Sequence, residues 1–403
     1  LREGPNRPRF FGFFALCVSA TMGVALAGNL VTFVVFYELL TLATYPLVVH
    51  RGDRETLRAG RIYLLYTLSG GALLLLGAML LHAWHGAGAF EVGGLLALAE
   101  ARPGDGALRL LFALMIAGLG VKAALVPLHG WLPLAMVAPA PVSALLHAVA
   151  VVKAGAFGIV RVVYDLFGIS LAEALGVLPW LAGAAAATVI WGSLLALRQD
   201  DLKKRLAYST VSQVSYIALG AALAHPAAAL GAILHLIHQG IMKITLFFCA
   251  GAFAETLGVK AVSGLDGAGR RMPWTSAAFS VAALGMIGVP MTAGFVTKWT
   301  LAIGALEAGA AWVVAVLLAS SALNAAYFLP ILRALWFRPE PEAWPNPAPP
   351  PRRNVALMVG PPVATAALVI AAAAFATSVF SPLGWVREIA LSEFGFGRVA
   401  AQP

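Results

Sequence analysis

The sequence predicts an all-α, polytopic membrane protein with about 11 transmembrane helices. Of the 403 residues, 61% are hydrophobic and only 11% are charged, whereas a soluble domain carries about 25% charged residues. Most of the surface must therefore face lipid. The net charge of +9 resides mainly in short loops between apolar segments, which is the pattern of membrane topology and not of a nucleic-acid-binding face. We expect the lipid bilayer, and no nucleic acid, as a partner.

Eleven apolar segments are long enough to cross a hydrocarbon core of about 30 Å. They cover residues 10–28, 29–50, 57–83, 108–130, 139–164, 173–197, 204–224, 227–256, 273–303, 309–337 and 354–380. Residues 338–353 are rich in proline and predict an extended linker before the last helix. Residues 381–403 predict a short C-terminal surface tail.

The distribution of basic residues predicts the orientation. Lysine and arginine concentrate at residues 51–61, 198–205 and 258–272, which the positive-inside rule places in the cytoplasm. Residues 84–107 then lie outside. With 11 helices, we expect the N-terminus of this sequence inside and its C-terminus outside the cell membrane of a prokaryote. The sequence starts at Leu1 and not at methionine, and we expect part of the natural N-terminus to precede it.

Cofactor chemistry has no signature in this sequence. Cys17 and Cys249 both lie in apolar stretches without the spacing of metal ligands. Phosphate-binding, dinucleotide-binding and zinc-protease motifs are missing from the sequence. We therefore expect no cofactor, no metal and no catalytic redox site in this chain.

Five ionisable residues lie inside predicted spans: Glu38, Lys122, Lys153, Lys243 and Lys298. Each charge at a helix centre costs about 2.5–3.5 kcal/mol on insertion scales, so these groups must face the protein interior or water. Structural ion pairs and snorkelling lysines are the alternative interpretation. One acid cannot pair with four lysines, however, and a buried lysine that is neutral for part of the time can accept and release a proton. The pattern favours the movement of protons or other monovalent cations.

Two of the predicted helices are interrupted close to a lysine. Pro127 follows Lys122, and Pro290 and Gly294 precede Lys298. A break frees backbone carbonyls, which can hydrate or coordinate a cation where they line a cavity. An ordinary kink would explain either break alone, but the two together are typical of a transporter built from repeats.

Histidines accompany the lysines on two further helices. His147 precedes Lys153, and His235 and His238 precede Lys243 on one helical face of about 140°. Imidazole titrates near neutral pH, which suits a proton relay, although a single membrane histidine is more often an interhelical hydrogen-bonding group. Metal binding by the last two histidines has little support, because no carboxylate or cysteine joins them.

His129 and Trp131 follow the first break. Both could end a half-channel or anchor the chain at the membrane interface. We expect Trp131 to be an interfacial anchor and leave His129 open.

These motifs together resemble the proton-translocating antiporter-like subunits shared by Mrp-type cation/proton antiporters, respiratory complex I and membrane-bound hydrogenases. The resemblance runs over nearly the whole chain. In the family's order, the matching motifs are FYELL (36–40), VKAALVPLHGWLP (121–133), PAPVSALLHAVAVVKAG (139–155), DDLKKRLAYSTVSQVSYI (200–217), HLIHQGIMK (235–243) and GFVTKW (294–299).

The resemblance implies fourteen helices, with about three preceding this sequence. It implies two inverted five-helix repeats, at residues 10–164 and 173–337, and one further helix at 354–380. It also implies partners: other membrane subunits of a hetero-oligomeric complex, with protons, and Na⁺ as a second candidate, as the ions.

The resemblance also implies roles for individual residues. Glu38 and Lys122 match the family's glutamate–lysine pair, and Lys153 with His147 matches the next relay position. In the second repeat, Lys243 with His235 matches the central position, and Lys298 matches the terminal group on the second broken helix.

The type of subunit is predicted from two further features. A lysine and not a glutamate at position 298 argues against complex I subunit M, and the short C-terminus argues against complex I subunit L and the large MrpA protein. We predict a protein like MrpD of the Mrp antiporters. The alternative is the equivalent proton-pumping subunit of a complex I-like NADH:quinone oxidoreductase or of a membrane-bound hydrogenase. A receptor or a structural membrane protein would not need five charges at this depth.

Overall fold

The described part of the chain is all-α. A computed structural model describes residues 6–86, 88–99, 103–346, 352–378 and 381–394, with the backbone alone at 352–355. Its α-helices are α1 (Arg7–Leu26), α2 (Leu30–Val48), α3 (Arg54–His85), α4 (Leu95–Leu98), α5 (Asp105–Ala123), α6 (Trp131–Leu134), α7 (Ala140–Ala144), α8 (Val151–Arg161), α9 (Ile169–Ala174), α10 (Leu178–Leu197), α11 (Leu202–Ala221), α12 (Pro226–Leu257), α13 (Ala268–Arg271), α14 (Pro273–Ile287), α15 (Ala293–Glu307), α16 (Ala311–Phe337), α17 (Arg352–Ala374) and α18 (Pro382–Glu393). Two π-helical segments, Leu145–Val149 and Val162–Phe167, flank α8.

The predicted fold class is confirmed, since every one of the eleven apolar segments corresponds to a helix or to an interrupted helix. Nine helical stretches among the described residues are long and apolar enough to cross a membrane. The other two segments differ for separate reasons. Helix α11 is rich in polar residues, and the segment at 273–303 is divided into α14 and α15.

Helix starts follow from the residues at their first positions. The side chains of Asn29, Asp53 and Asp201 each accept a hydrogen bond from the backbone N–H three residues later, at 2.7–2.8 Å. Such caps satisfy donors that have no partner within the helix. Pro226 and Pro273 occupy first positions of α12 and α14, where the missing N–H of proline costs nothing.

Two isolated β-bridges join equivalent points of the chain. Asn29, which caps α2, pairs with Ala89 beyond the end of α3, and Asp201, which caps α11, pairs with Ala261 beyond the end of α12. The bridged residues are equally far apart along the chain in both cases. Each bridge therefore ties the start of one long helix to the end of the next, at the same end of the molecule.

The connecting segments collect in two layers. In the first layer, Ser263 bonds to the Asp200 carboxylate, and the Lys203 ammonium donates to the Ala138 carbonyl at 2.6 Å. Arg338, in the linker predicted at 338–353, forms an ion pair with Asp266 at 3.1 Å. Residues 347–351 of that linker lie outside the described residues.

In the second layer, the Glu91 N–H donates to the Asp165 carbonyl, and His225 faces Glu307 at 3.6 Å. Helix α18, in the tail predicted at 381–403, also lies here, with Phe394 against Tyr164; residues 395–403 lie outside the described residues. The two layers follow the alternation that successive crossings require.

Candidate functional site

Glu38 and Lys122 form a buried ion pair between α2 and α5. The Lys122 Nζ atom lies 3.6 Å from Glu38 Oε1, donates a hydrogen bond to the Tyr37 carbonyl and lies 3.3 Å from the centroid of the Tyr37 ring. The lysine is fully buried, and the glutamate side chain is 26% exposed. An aromatic face and a carboxylate both stabilise an ammonium, so this position favours a charged lysine.

The first break lies between α5 and α6 and contains Pro127. It follows Ala124, which adopts a left-handed conformation with φ of 59°. Trp131 is fully buried, and its indole Nε1 donates to the Val121 carbonyl at 2.7 Å. The expectation that Trp131 is an interfacial anchor is therefore wrong. The indole instead satisfies a backbone group that the break would leave unpaired.

His129 lies in the same break, half-buried, with its ring centroid 6.3 Å from that of Tyr208. Its Nδ1 atom is buried and has no hydrogen-bonding partner among the described residues. The histidine thus borders α11 without a fixed polar contact at this nitrogen.

The second break lies between α14 and α15 and contains Pro290. Across it, the Lys298 Nζ atom donates to the carbonyls of Met286 and Ile287, both at 2.9 Å, and to the Ser321 hydroxyl at 3.0 Å. Three acceptors match the three donors of an ammonium. Lys298 thus caps the C-terminus of α14, where the helix dipole favours a cation.

Gly294 lies in the first turn of α15, beyond the break itself. A Cβ atom at this position would collide with the Gly285 carbonyl of α14. The two half-helices therefore approach each other here as closely as their backbones allow.

His147 and Lys153 lie on either side of a change in helical geometry. His147 is in the π-helical segment Leu145–Val149, and Lys153 is in the first turn of α8. Both side chains are buried, and neither the two ring nitrogens of His147 nor the Nζ atom of Lys153 has a hydrogen-bonding partner among the described residues. The His147 ring packs on Phe247 of α12, with 4.8 Å between centroids.

Lys243, His235 and His238 of α12 contact two different neighbours. The Lys243 ammonium donates to the Leu206 carbonyl of α11 at 2.9 Å and to the Ser209 hydroxyl. His238 Nδ1 lies 2.9 Å from the Ala293 carbonyl of α15. Since a carbonyl only accepts, this nitrogen carries the proton, and in the neutral ring Nε2 is then an acceptor.

Tyr216 of α11 connects His235 with Lys298. The centroids of the Tyr216 and His235 rings are 5.2 Å apart, and Lys298 Nζ lies 5.6 Å from the Tyr216 centroid. His235 Nδ1 also lies 3.2 Å from the Thr297 hydroxyl, one residue before Lys298. The groups predicted for the second repeat therefore meet around one aromatic ring.

Sequence reasoning missed two buried amides, Gln213 of α11 and Gln239 of α12. Both side chains are fully buried, and neither amide has a hydrogen-bonding partner in the described part of the chain. The signal was present in the sequence, because the segment AYSTVSQVSYI (207–217) has too many hydroxyls and amides for a helix that faces lipid.

The helices that carry these groups touch at small residues. A Cβ atom at Gly155 of α8 would lie 2.8 Å from the Lys122 carbonyl carbon of α5, and one at Gly240 of α12 would lie 2.9 Å from the Ala148 carbonyl. The lysine-bearing helices α5, α8 and α12 are therefore in direct contact at or near their polar groups. Tyr216 and Thr297 extend this row to α15.

The sequence and the structure are similar to those of several characterised membrane proteins. NADH-quinone oxidoreductase subunit N of Desulforudis audaxviator is 39% identical over 354 residues, which are 86% of this chain and 69% of that protein. The probable K⁺/H⁺ antiporter A/B protein of Rhizobium meliloti is 34% identical over 293 residues, which are 72% of this chain but only 28% of that protein.

The fold also matches a solved structure, that of the Mrp complex from Dietzia sp. DQ12-45-1b. The TM-score is 0.83 at 25% identity, over 95% of this chain and 77% of that chain. The family model described as NADH:quinone oxidoreductase/Mrp antiporter, TM, matches residues 27–324. This chain therefore belongs to the NADH:quinone oxidoreductase/Mrp antiporter family of antiporter-like membrane subunits.

Proposed function

We propose that this protein moves protons along its row of buried lysines and histidines, within a multisubunit cation/proton antiporter. The observation that carries the proposal is the shortage of acids. Among the described residues, Lys122 has an acidic partner, whereas Lys153, Lys243 and Lys298 form no ion pair. A buried charge without a counter-charge is costly, so these lysines have a physical reason to release a proton.

The surroundings of the lysines differ in a way that supports directional transfer. Lys298 is held by three acceptors, which favour its protonated form. Lys153 has no protein acceptor in the described structure, which favours its neutral form. A proton that leaves the Glu38–Lys122 pair would pass a site that holds it weakly before it reaches one that holds it firmly. His147, His235 and His238 bridge the intervals, because a neutral imidazole can accept on one nitrogen and donate from the other.

The two inverted repeats at residues 10–164 and 173–337 belong to the same proposal. Their support is the pair of β-bridges, each of which joins the cap of one long helix to the end of the next. A broken helix also follows each bridged pair, α5 with α6 in the first half and α14 with α15 in the second. We assign the layer at 51–61, 198–205 and 258–272 to the cytoplasm on the basis of its basic residues.

A complex I-like NADH:quinone oxidoreductase is the second candidate for the parent complex. The identity to a subunit N over most of the chain favours it, whereas the antiporter relative and the fold of the Mrp complex favour an antiporter. The partners decide between the two. Purification of the native complex should recover small membrane subunits in the first case, and subunits that carry redox centres in the second, where the first case is the antiporter. Protons are the proposed ion in both cases, and Na⁺ is a further candidate in the antiporter.

Substitution of Lys243 tests the relay. Arginine keeps the positive charge but does not release its proton, so Lys243→Arg should block proton-coupled transport nearly as well as Lys243→Ala. If Lys243 only holds the fold together, Lys243→Arg should transport normally, and Lys243→Ala should lower the yield of the complex. Lys243→Met, which keeps the length of the chain without a transferable proton, repeats the test if the bulkier arginine reduces the yield. Lys260→Arg, at an exposed loop position, is the matched control.

A further inference from the structure

We propose that the cytoplasmic end of α3 binds the headgroup of an anionic phospholipid. Arg54, Leu57, Arg58, Arg61 and Ile62 line a surface groove with a volume of about 440 Å³. We call these five residues the arginine groove. Neither the family assignment nor the proton row uses them, and they lie on the outer surface of the helix.

The three arginines present their charge in one direction. Their spacing places them on one face of α3 over its first two turns, and all three are exposed. None of them forms an ion pair with any acid in the described part of the chain. Of the neighbouring acids, Asp53 caps the helix through the Thr56 N–H at 2.7 Å, and Glu55 lies on an adjacent face. The groove is therefore a concentration of unneutralised positive charge.

Apolar side chains continue the same face towards the membrane interior. Leu65 is 67% exposed, Leu68 43%, Leu76 47% and Met79 63%. At helical spacing these residues lie below the arginines as one stripe. A headgroup in the groove would thus have an apolar track for its acyl chain directly beneath it.

This combination matches a phospholipid better than a free anion. Guanidinium groups bind phosphate oxygens in a bidentate geometry, and basic clusters at the cytoplasmic end of membrane helices attract anionic lipids. A phosphate ion would use the arginines but not Leu57, Ile62 or the stripe below them. A phosphodiester with attached acyl chains would use all of these groups, so we commit to an anionic phospholipid as the occupant.

Native mass spectrometry of the full chain in detergent tests the assignment, with dioleoyl phosphatidylglycerol and dioleoyl phosphatidylcholine as the probes. The wild-type protein should retain phosphatidylglycerol in preference to phosphatidylcholine. Each arginine replaced by glutamine should weaken phosphatidylglycerol binding by roughly fivefold, so the variant R54Q/R58Q/R61Q should lose about a hundredfold. The control K204Q/R270Q/R271Q removes the same charge from exposed positions in the same layer and should bind as the wild type does.

Four outcomes would overturn the proposal. One is equal retention of the two lipids by the wild type, and another is unchanged phosphatidylglycerol binding by R54Q/R58Q/R61Q. Displacement of phosphatidylglycerol by millimolar inorganic phosphate would identify a simple anion site. If the triple variant fails to assemble with its partner subunits yet retains phosphatidylglycerol normally, the arginines bind a protein partner.

Discussion

The Trp131 indole donates its N–H to the Val121 carbonyl oxygen at 2.7 Å, across the break that follows Lys122. At the second break the corresponding task falls to a lysine, because Lys298 itself binds the freed carbonyls of Met286 and Ile287. The two breaks therefore leave their lysines in different states. Lys122 remains available to Glu38, whereas Lys298 is held by backbone acceptors.

Removal of the indole donor should destabilise the fold without removing the aromatic core. In Trp131→Phe the ring remains but the Val121 carbonyl loses its partner, and a buried group left unpaired costs about 1–3 kcal/mol. Thermal unfolding in detergent should show a lower midpoint. Trp180→Phe, at a position that is 82% exposed, is the control and should melt as the wild type does. An unchanged midpoint in Trp131→Phe would mean that this hydrogen bond contributes nothing.

Loss of the Glu38 charge should impair transport but not assembly. Glu38→Gln keeps the shape of the side chain and removes the acid that faces Lys122, so we expect a tenfold or greater loss of transport from a charge-assisted contact. Glu38→Asp should retain part of the activity. Transport by the complete complex in vesicles, normalised to its yield, is the measurement, with Glu307→Gln as the exposed control. Full activity of Glu38→Gln would exclude Glu38 from the path.

The proposed topology can be tested by cysteine labelling. Both native cysteines are fully buried, so background labelling should be low. A membrane-impermeant maleimide should label Glu91→Cys in intact cells, and Lys204→Cys or Arg270→Cys only after the membrane is opened. Labelling of positions 91 and 204 from the same side would contradict the arrangement of the helices.

The docking of α18 should depend on pH through Glu393. Burial raises the pKa of the Glu393 carboxyl to about 7, and the nearby charge of Asp165 raises it further, while Arg161 opposes the shift. The folded state thus holds the proton more tightly than the unfolded state, whose pKa is near 4.5. Stability of the docked helix must therefore fall as pH rises from about 4.5 to 7 and stay low above that range.

Hydrogen exchange of the α18 amides provides the measurement. At pH 8 the wild type should exchange faster than Glu393→Gln, which has no charge to bury, and at pH 6 the difference should shrink. Comparison of the two proteins at each pH cancels the intrinsic effect of pH on exchange. Glu388→Gln, at an exposed position of the same helix, should behave as the wild type. Equal exchange of Glu393→Gln and the wild type at pH 8 would refute the prediction.

The helices could be predicted from the sequence because a membrane span is a local property of length and apolarity. The lysines were found for the same reason, since a charge in an apolar stretch is conspicuous. The hydrogen-bonding partners were not. In a membrane helix the lipid-facing side is as apolar as the packed side, so periodicity does not show which way Gln213, Gln239 or Trp131 points. Their surroundings depend on which helices pack together.

The π-helical segments on either side of α8 have a consequence for how this chain can change. A π-helical turn holds more residues than an α-helical turn, so the direction in which Lys153 projects depends on the number of residues before it. Deletion of a single residue from Leu145–Val149 would rotate everything that follows by roughly 100°. Mutations that substitute residues in this stretch alter one side chain each, whereas a change of length would misdirect Lys153 and the rest of the helix together. Insertions and deletions should therefore be tolerated in the surface loop at 88–99 and eliminated by selection here.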